Sequence, residues 1–348
     1  MPTRECIPDV FVRLGECGPE ENVYLHDRKG IAVMINRREF AKYGFSFASA
    51  AVLRQTIAQS HASTGDANLD LRQREIDEVP SADFATYWKM GSQVRYPLVL
   101  AYASRFKAIG RLEKAFDQVF DEARAAVVTD INRPAIWYLY NMGLIVKTPK
   151  TMFSVDLHHR RAEDFAPFLD FALITHNHPD HYTERFKEAM DRIQRKPVVN
   201  NFFCNYGVKD RNLGGYTRAK RKVFEYGDVK VITGLCDHNS YLIDYTTTFE
   251  IHIGDFTLFH SGDCYSHAKF DLSRRPDMWV FHPFCGMDAA KACREAVRPK
   301  QAVIAHLQEM GHAKGRYRWT YCDGLNQKAK IESAGFAARM PLWGERLV

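Results

Sequence analysis

The apolar positions of this chain change their spacing twice. Between Asp9 and Asn36 they form short β-branched stretches at 9–14, 22–25 and 30–36, interrupted by Gly, Pro and Asp, which predicts two or three strands joined by tight turns. After Tyr43 apolar residues recur every three or four positions, through Ala48–Ala62 and again from Ala82 to Val128. That spacing predicts helices, with Pro97 and Gly110 expected to divide the second stretch. From Ala135 onward, apolar runs of strand length begin at 136, 144, 152, 171, 198, 229, 248, 257, 278 and 302, and helices are expected at 183–195, 288–296 and 324–333. The strands between Val229 and His260 are separated mainly by turns, so meander and crossover are mixed. We expect residues 1–134 to form a strand-then-helix segment packed on a chemistry-bearing domain at 135–348.

Composition narrows the class but does not choose a function. With 46% hydrophobic residues, 21 Gly and 14 Pro, the chain has the balance of a globular protein, which excludes disorder, collagen and coiled coil as whole-chain readings. Forty-eight Lys and Arg against 42 Asp and Glu leave +6, an excess that suits an anionic small molecule and is too mild to call for nucleic acid. Eight cysteines occur without a CxxC pair, against both a disulfide scaffold and a zinc finger. No apolar run approaches the roughly 18 residues of a membrane-spanning helix. The start shows no basic-then-apolar leader, so we expect a reducing, cytoplasmic setting.

The chemistry is concentrated in Thr175-His-Asn-His-Pro-Asp-His-Tyr182, between an apolar run and a helical stretch. A strand ending there would hand the chain to a tight loop in which His176 and His178 converge on one cation while Asp180 and His181 turn to a neighbouring position. Neutral imidazole and carboxylate are ligands that a borderline cation such as zinc accepts. A lone His in apolar surroundings is ordinarily structural, but three His and one Asp within six positions would each need a separate buried partner. Further polar residues stand where other apolar runs end: His238 after 229–234, Asp263 after 257–260 and His306 after 302–305. Ligands at the ends of separate strands suit a two-metal site, and the Asp263 carboxylate can bridge cations about 3.5–4 Å apart. Asp156, at the end of 152–155, is the expected acceptor that orients a ligating His or its loop.

This order of residues, HNHPDH followed by His238, Asp263 and His306, resembles the HxHxDH–His–Asp–His pattern of the metallo-β-lactamase superfamily, over roughly 135 to the C-terminus. The resemblance implies an α+β fold, an αββα sandwich here carrying an N-terminal α/β extension, with a binuclear site at one edge of the paired sheets. By position, His176, His178 and His238 would hold the first of two divalent cations, Asp180, His181 and His306 the second, and Asp263 would bridge. Zinc is the first expectation, with manganese or iron as alternatives, because affinity in such sites follows geometry and supply. Residues 141–147 leading to Asp156, and Leu258-Phe-His-Ser-Gly-Asp-Cys-Tyr265, resemble stretches of the L-ascorbate-6-phosphate lactonase group, and the second is also similar to N-acylphosphatidylethanolamine phospholipase D. The lactonase pattern has no clear counterpart of His238, nor of the N-terminal segment.

The expected reaction is hydrolysis by a metal-activated water, with Asp180 ligating and orienting it and no side-chain nucleophile. A leaving group needs an acid; His267, His282, His312 and Tyr265 are available, and His312 is the first to test. Arg160, Arg161, Tyr265 and Arg316 are expected to meet the substrate, the guanidinium fork being matched to phosphate or carboxylate. Cys236 and Cys264 are expected to pack rather than ligate. The basic run Arg218–Lys222 reads as an exposed face rather than a nucleic-acid contact. We therefore expect a binuclear hydrolase of a small anionic lactone or phosphoester. A phosphodiesterase of nuclease or phospholipase type is one alternative, and an iron-dependent oxidoreductase on the same fold another, although diiron flavoproteins usually carry Glu where His178 stands. The N-terminal segment would serve as a lid, a homo-oligomer surface or a docking part.

Overall fold

Residues 10–13, 22–27, 32–36, 64–91, 96–193, 197–200 and 221–348 are described in the computed structural model. Contacts divide the chain into two units, Met1–His61 and Ala62–Val348. In the first, β1 (Val10–Arg13), β2 (Asn22–Asp27) and β3 (Ala32–Asn36) form an antiparallel meander, as the β-branched stretches predict. The helix expected at 48–62 lies outside the described residues.

The second unit opens with four helices. α1 (Ala67–Asp77) was not anticipated; it is mostly polar on its surface and starts at Asp66, whose side chain accepts the Asn68 and Leu69 amides. α2 (Ser81–Lys89), α3 (Tyr96–Arg105) and α4 (Lys107–Ala125) follow. Pro97 sits in the first turn of α3, where it tolerates the helix. Gly110 does not divide these helices as expected. The break is at Phe106, and Gly110 lies inside α4, where a Cβ would stand only 3.2 Å from the Ala103 carbonyl oxygen.

Two sheets follow. β4 (Ala135–Tyr138), β5 (Leu144–Lys147), β6 (Met152–Val155), β7 (Phe171–Leu173) and β8 (Val198–Val199) pair in that order, antiparallel as far as β6 and parallel beyond. The other sheet holds β9 (Val223–Tyr226), β10 (Val229–Cys236), β11 (Thr246–Ile253), β12 (Phe256–Gly262), β13 (Met278–Phe281), β14 (Gln301–Ile304) and β15 (Ala337–Arg339). It is antiparallel from β9 to β12 and parallel from β12 to β15. The remaining helices are α5 (Glu184–Arg192), the short α6 (Ala289–Ala292) and α7 (Tyr321–Ser333), which begins with a Thr320–Asp323 capping box.

The strand period of two sorts the core into layers. Leu258, Met278, Val280 and Val303 share a core with Ile136, Val146 and Phe153 of the other sheet, and Phe171 stacks on Tyr226 between the sheets at 4.5 Å. The alternate residues Phe259, Trp279, Phe281, Ala302 and Ile304 pack instead with Ala289, Ala292 and Ile331 of α6 and α7. Against β4 and β5 lies α4, with Trp137 Nε1 donating to Glu122 at 2.9 Å and Lys147 Nζ to the Ala123 carbonyl at 2.8 Å. Helices thus flank both paired sheets, the αββα layering. Strands β10, β12, β13 and β14 run in one direction, so their C-terminal ends share an edge. No helix among the described residues is long and apolar enough to cross a membrane.

Candidate metal centre

Seven chain segments deliver side chains to that shared edge. β6 ends at Asp156, which adopts a left-handed φ of 44°. Asp156 accepts the Thr175 amide and the Thr175 hydroxyl, both at 2.7 Å, and its Oδ2 stands 2.9 Å from His181 Nδ1. One carboxylate therefore fixes both the start and the last His of the 176–181 loop. Asn141, with φ 55°, ties the opposite side: its Nδ2 donates to the Asp180 carbonyl at 2.7 Å and its carbonyl accepts the His306 amide at 2.8 Å.

At the middle stands Asp263, just past the end of β12. Its Oδ2 lies 3.3 Å from His282 Nδ1, 3.5 Å from both His181 Nε2 and His306 Nε2, 3.7 Å from His238 Nε2 and 4.0 Å from His176 Nε2. His178 completes one side, its ring 4.5 Å from that of His176 and 4.6 Å from that of His238. Asp180 completes the other, its Oδ2 3.0 Å from His306 Nε2 and 3.8 Å from His181 Nε2. Within each of the sets His176–His178–His238, Asp180–His181–His306 and Asp263–His176–His181, the ligand atoms lie within 4.8 Å of one another. The structure thus gathers His176, His178, Asp180, His181, His238, Asp263 and His306, with Asp156 behind them.

The donor set fits divalent cations. His176 Nε2, His181 Nε2, His238 Nε2, His282 Nε2, His306 Nδ1 and Asp263 Oδ1 are buried without a hydrogen-bond partner. A buried orphan of this kind costs about 1–3 kcal/mol, and cations bound here would satisfy the Nε2 atoms of His176, His181 and His238, which face Asp263. Burial pushes His176 well below the ordinary imidazole value, His178 to about 4, and His238 down as well, leaving neutral imidazoles able to ligate. Against burial, the surrounding His306, His282 and His181 hold the Asp263 carboxyl well below the usual range. Likewise against burial, His181 and His306 do the same for Asp180. His181 and His306 are raised despite burial, because Asp263 and Asp180 favour their charged forms. The two carboxylates thus favour positive charge beside His181 and His306, which a bound cation would supply.

The other expected residues are placed unevenly. His312 is half-exposed, its ring 6.1 Å from that of His306 and its Nδ1 3.3 Å from Glu309 Oε2. Tyr265 and Arg316 are exposed, the Tyr265 amide donating to the Asp237 carbonyl and the Arg316 guanidinium lying over the Tyr317 ring. Arg160 and Arg161 are corrected. Arg160 is buried, donating from Nη2 to Glu113 at 2.8 Å and from Nη1 to the Gly91 carbonyl, while Arg161 binds Asp117 at 2.6 Å and Asp164 at 2.9 Å. Their forks are consumed in fastening α4 to the segment beyond Asp156. His267 pairs with Glu295 at 3.1 Å. Of the basic run, Arg221 and Lys222 are described, and Arg221 binds Glu250 and Asp271. The sequence reading missed Asn141, Glu309 and Cys285 as members of the site.

No family model matches the chain. Similar solved structures include CmlA, a diiron β-hydroxylase from Streptomyces venezuelae, at 14% identity over 62% of this chain with a TM-score of 0.47. Igni18, a metallo hydrolase from Ignicoccus hospitalis, is similar at 16% identity over 62% of this chain and 97% of its own, with a TM-score of 0.46. YhfI of Bacillus subtilis, a metallo-β-lactamase fold protein, is similar at 13% identity over 62% of this chain and 99% of its own, with a TM-score of 0.45. The chain spans 54% of the hydroxylase's length.

Proposed function

We propose that this chain is a binuclear metal-dependent hydrolase of a small anionic ester, a lactone or phosphoester. One observation carries the reading: a single carboxylate oxygen of Asp263 lies 3.3–4.0 Å from five imidazoles that also carry unpartnered buried nitrogens. In this reading His176, His178 and His238 would hold one cation and Asp180, His181 and His306 the other, with Asp263 available to both. Bound cations of this kind supply an activated water and polarise the oxygen under attack. The chain's own part is orientation and proton handling. Asp180, held by Asn141, would accept a hydrogen bond from a water bound there and orient it. Asp156 fixes His181, and His312, backed by Glu309, donates a proton to the leaving oxygen. Tyr265 and Arg316 meet the substrate at the rim, and the likeness of 141–147 and 258–265 to the lactonase group favours a cyclic ester. The free, unbridged cysteines of the described residues suit a reducing, cytoplasmic setting.

The test is metal analysis of the wild type beside Asp180→Ala and His178→Ala, followed by a panel of generic phosphodiesters and lactones. Two bound cations, zinc foremost, are expected in the wild type, with fewer in each variant. Two cations retained in both variants would contradict the ligand assignment. Bound iron with a visible absorption band and no ester turnover would favour the oxidoreductase instead.

A further inference from the structure

Cys236, Cys264 and Cys285 all stand close to Asp263, and their thiols are committed differently. Cys236 Sγ donates to the Ser266 carbonyl at 3.0 Å, tying two segments together, and Cys264 Sγ donates to the Ser261 carbonyl at 2.9 Å, closing a local turn. Cys285 Sγ instead lies 2.9 Å from His282 Nδ1, and together with ligand atoms of His238 and Asp263 it forms a set whose members lie within 4.8 Å of one another. The same space holds Asp263, 3% exposed with Oδ1 unpartnered, and His282, 6% exposed, whose Nδ1 lies 3.3 Å from Asp263 Oδ2. The position of Cys285 is fixed by its turn. Gly286, at φ 115°, presses against Tyr265 so closely that a Cβ would stand 2.5 Å from the ring, and no other residue would allow the chain to pass there.

We propose that Cys285 is a sulfur ligand of the metal centre, on the side held by His238 and Asp263, with the His282 ring hydrogen-bonded to the sulfur. The proposal rests on the metal-centre reading above. On binding, the S–H bond gives way to a metal–sulfur bond and the proton leaves to solvent. The centre thereby gains one negative ligand. Thiolate is soft, so the centre would favour zinc or cobalt over manganese more sharply than N/O ligands alone would. The His282 N–H, donating to the sulfur, orients it and tempers its basicity, as partners behind metal ligands do.

The test is cobalt(II)-reconstituted protein. Visible d–d absorption reports bound cobalt, and near-ultraviolet thiolate-to-cobalt charge transfer reports sulfur in its coordination. The wild type should show both, Cys285→Ser should lose the near-ultraviolet band while keeping the visible one, and Cys236→Ser should keep both. Independently of any variant, iodoacetamide labelling mapped by peptide mass spectrometry should modify Cys285 in chelator-treated protein and at least about tenfold more slowly in the loaded protein, since a coordinated thiolate is withheld from alkylation. Visible bands without charge transfer in the wild type, charge transfer surviving in Cys285→Ser, or equal labelling in both states would overturn the sulfur ligand while leaving the metal centre standing. Failure to bind cobalt at all would remove both.

Discussion

His181 Nδ1 lies 2.9 Å from Asp156 Oδ2, and both side chains are fully buried. The contact holds the imidazole in the tautomer that leaves Nε2 facing Asp263 and Asp180. Asp156→Asn keeps the shape and one acceptor for Thr175 but turns an N–H toward the imidazole. Metal affinity should fall by about 10- to 100-fold, the usual loss for a partner behind a ligand. Competition titration against a chromophoric chelator measures it, and affinity equal to wild type would show that the loop holds its geometry without Asp156.

Gly262 links the strand to the metal loop. It adopts φ 58° immediately before Asp263, and a Cβ there would stand 2.9 Å from Thr175 Cβ and Cγ2. Thr175 is the residue whose amide and hydroxyl bind Asp156. Gly262→Ala should therefore cost about 1–3 kcal/mol in backbone strain and also loosen metal binding. Urea unfolding of the metal-free protein reads the first effect, and metal content after dialysis the second. Unchanged midpoint and metal content would mean that Thr175 can move aside freely.

What the sequence disclosed and what it hid differ by range. The β-branched runs announced most strands of both sheets because a strand buried on two faces writes its burial into consecutive residues. The HNHPDH loop stood out because its polar density has no cheap structural explanation, and the fold gathers its side chains into one cluster. His238, Asp263 and His306 followed from standing at strand ends. Asn141 stayed hidden because its role depends on a left-handed backbone and on segments far along the chain. Arg160 was misread for a similar reason: beside Asp156 it looks like an anion fork, and only the fold brings Glu113 to it. The helix α1 escaped because few of its positions are buried, and β9 and β15 because edge strands carry little apolar alternation.

The carboxylate beside His312 is that of Glu309. Glu309, 1% exposed, accepts the Gly311 amide at 2.9 Å, the His312 amide at 2.7 Å and the Tyr140 hydroxyl at 3.2 Å, with His312 Nδ1 3.3 Å from its other oxygen. If His312 protonates the leaving oxygen, His312→Gln should slow substrates with alkoxide leaving groups by about 10²- to 10⁴-fold. Nitrophenolate esters, whose leaving group needs no proton, should lose only a few-fold. Steady-state kcat for the two substrate types decides, and equal losses on both would assign His312 to binding. Glu309→Gln should show the same selective pattern in weaker form.

Away from the metal centre, Glu250 on β11 makes stability depend on acid pH. It is 2% exposed and accepts the Ser273 hydroxyl and amide, the Arg274 amide at 3.0 Å, and Arg221 Nη2 at 2.6 Å, with His252 Nε2 2.8 Å away. Burial alone would raise its pKa. The Ser273 hydroxyl and amide, followed by His252, outweigh burial and bring it below the ordinary value of 4.5. The folded carboxyl therefore binds its proton less readily than the unfolded one. Its contribution is complete above the unfolded pKa, near about 4.3, and is lost as pH falls through the lower folded value. Glu250→Gln, with no charge to lose and a donor where an acceptor was needed, should be less stable than wild type near neutral pH by about 1–3 kcal/mol. The gap should narrow once the pH drops below the carboxyl range, because the wild-type group is then protonated too. Urea unfolding of both proteins in chelator, at neutral pH and again in acid, removes metal release as a competing cause. A gap that stays constant across that range would show that Glu250 acts through shape and packing rather than through its charge.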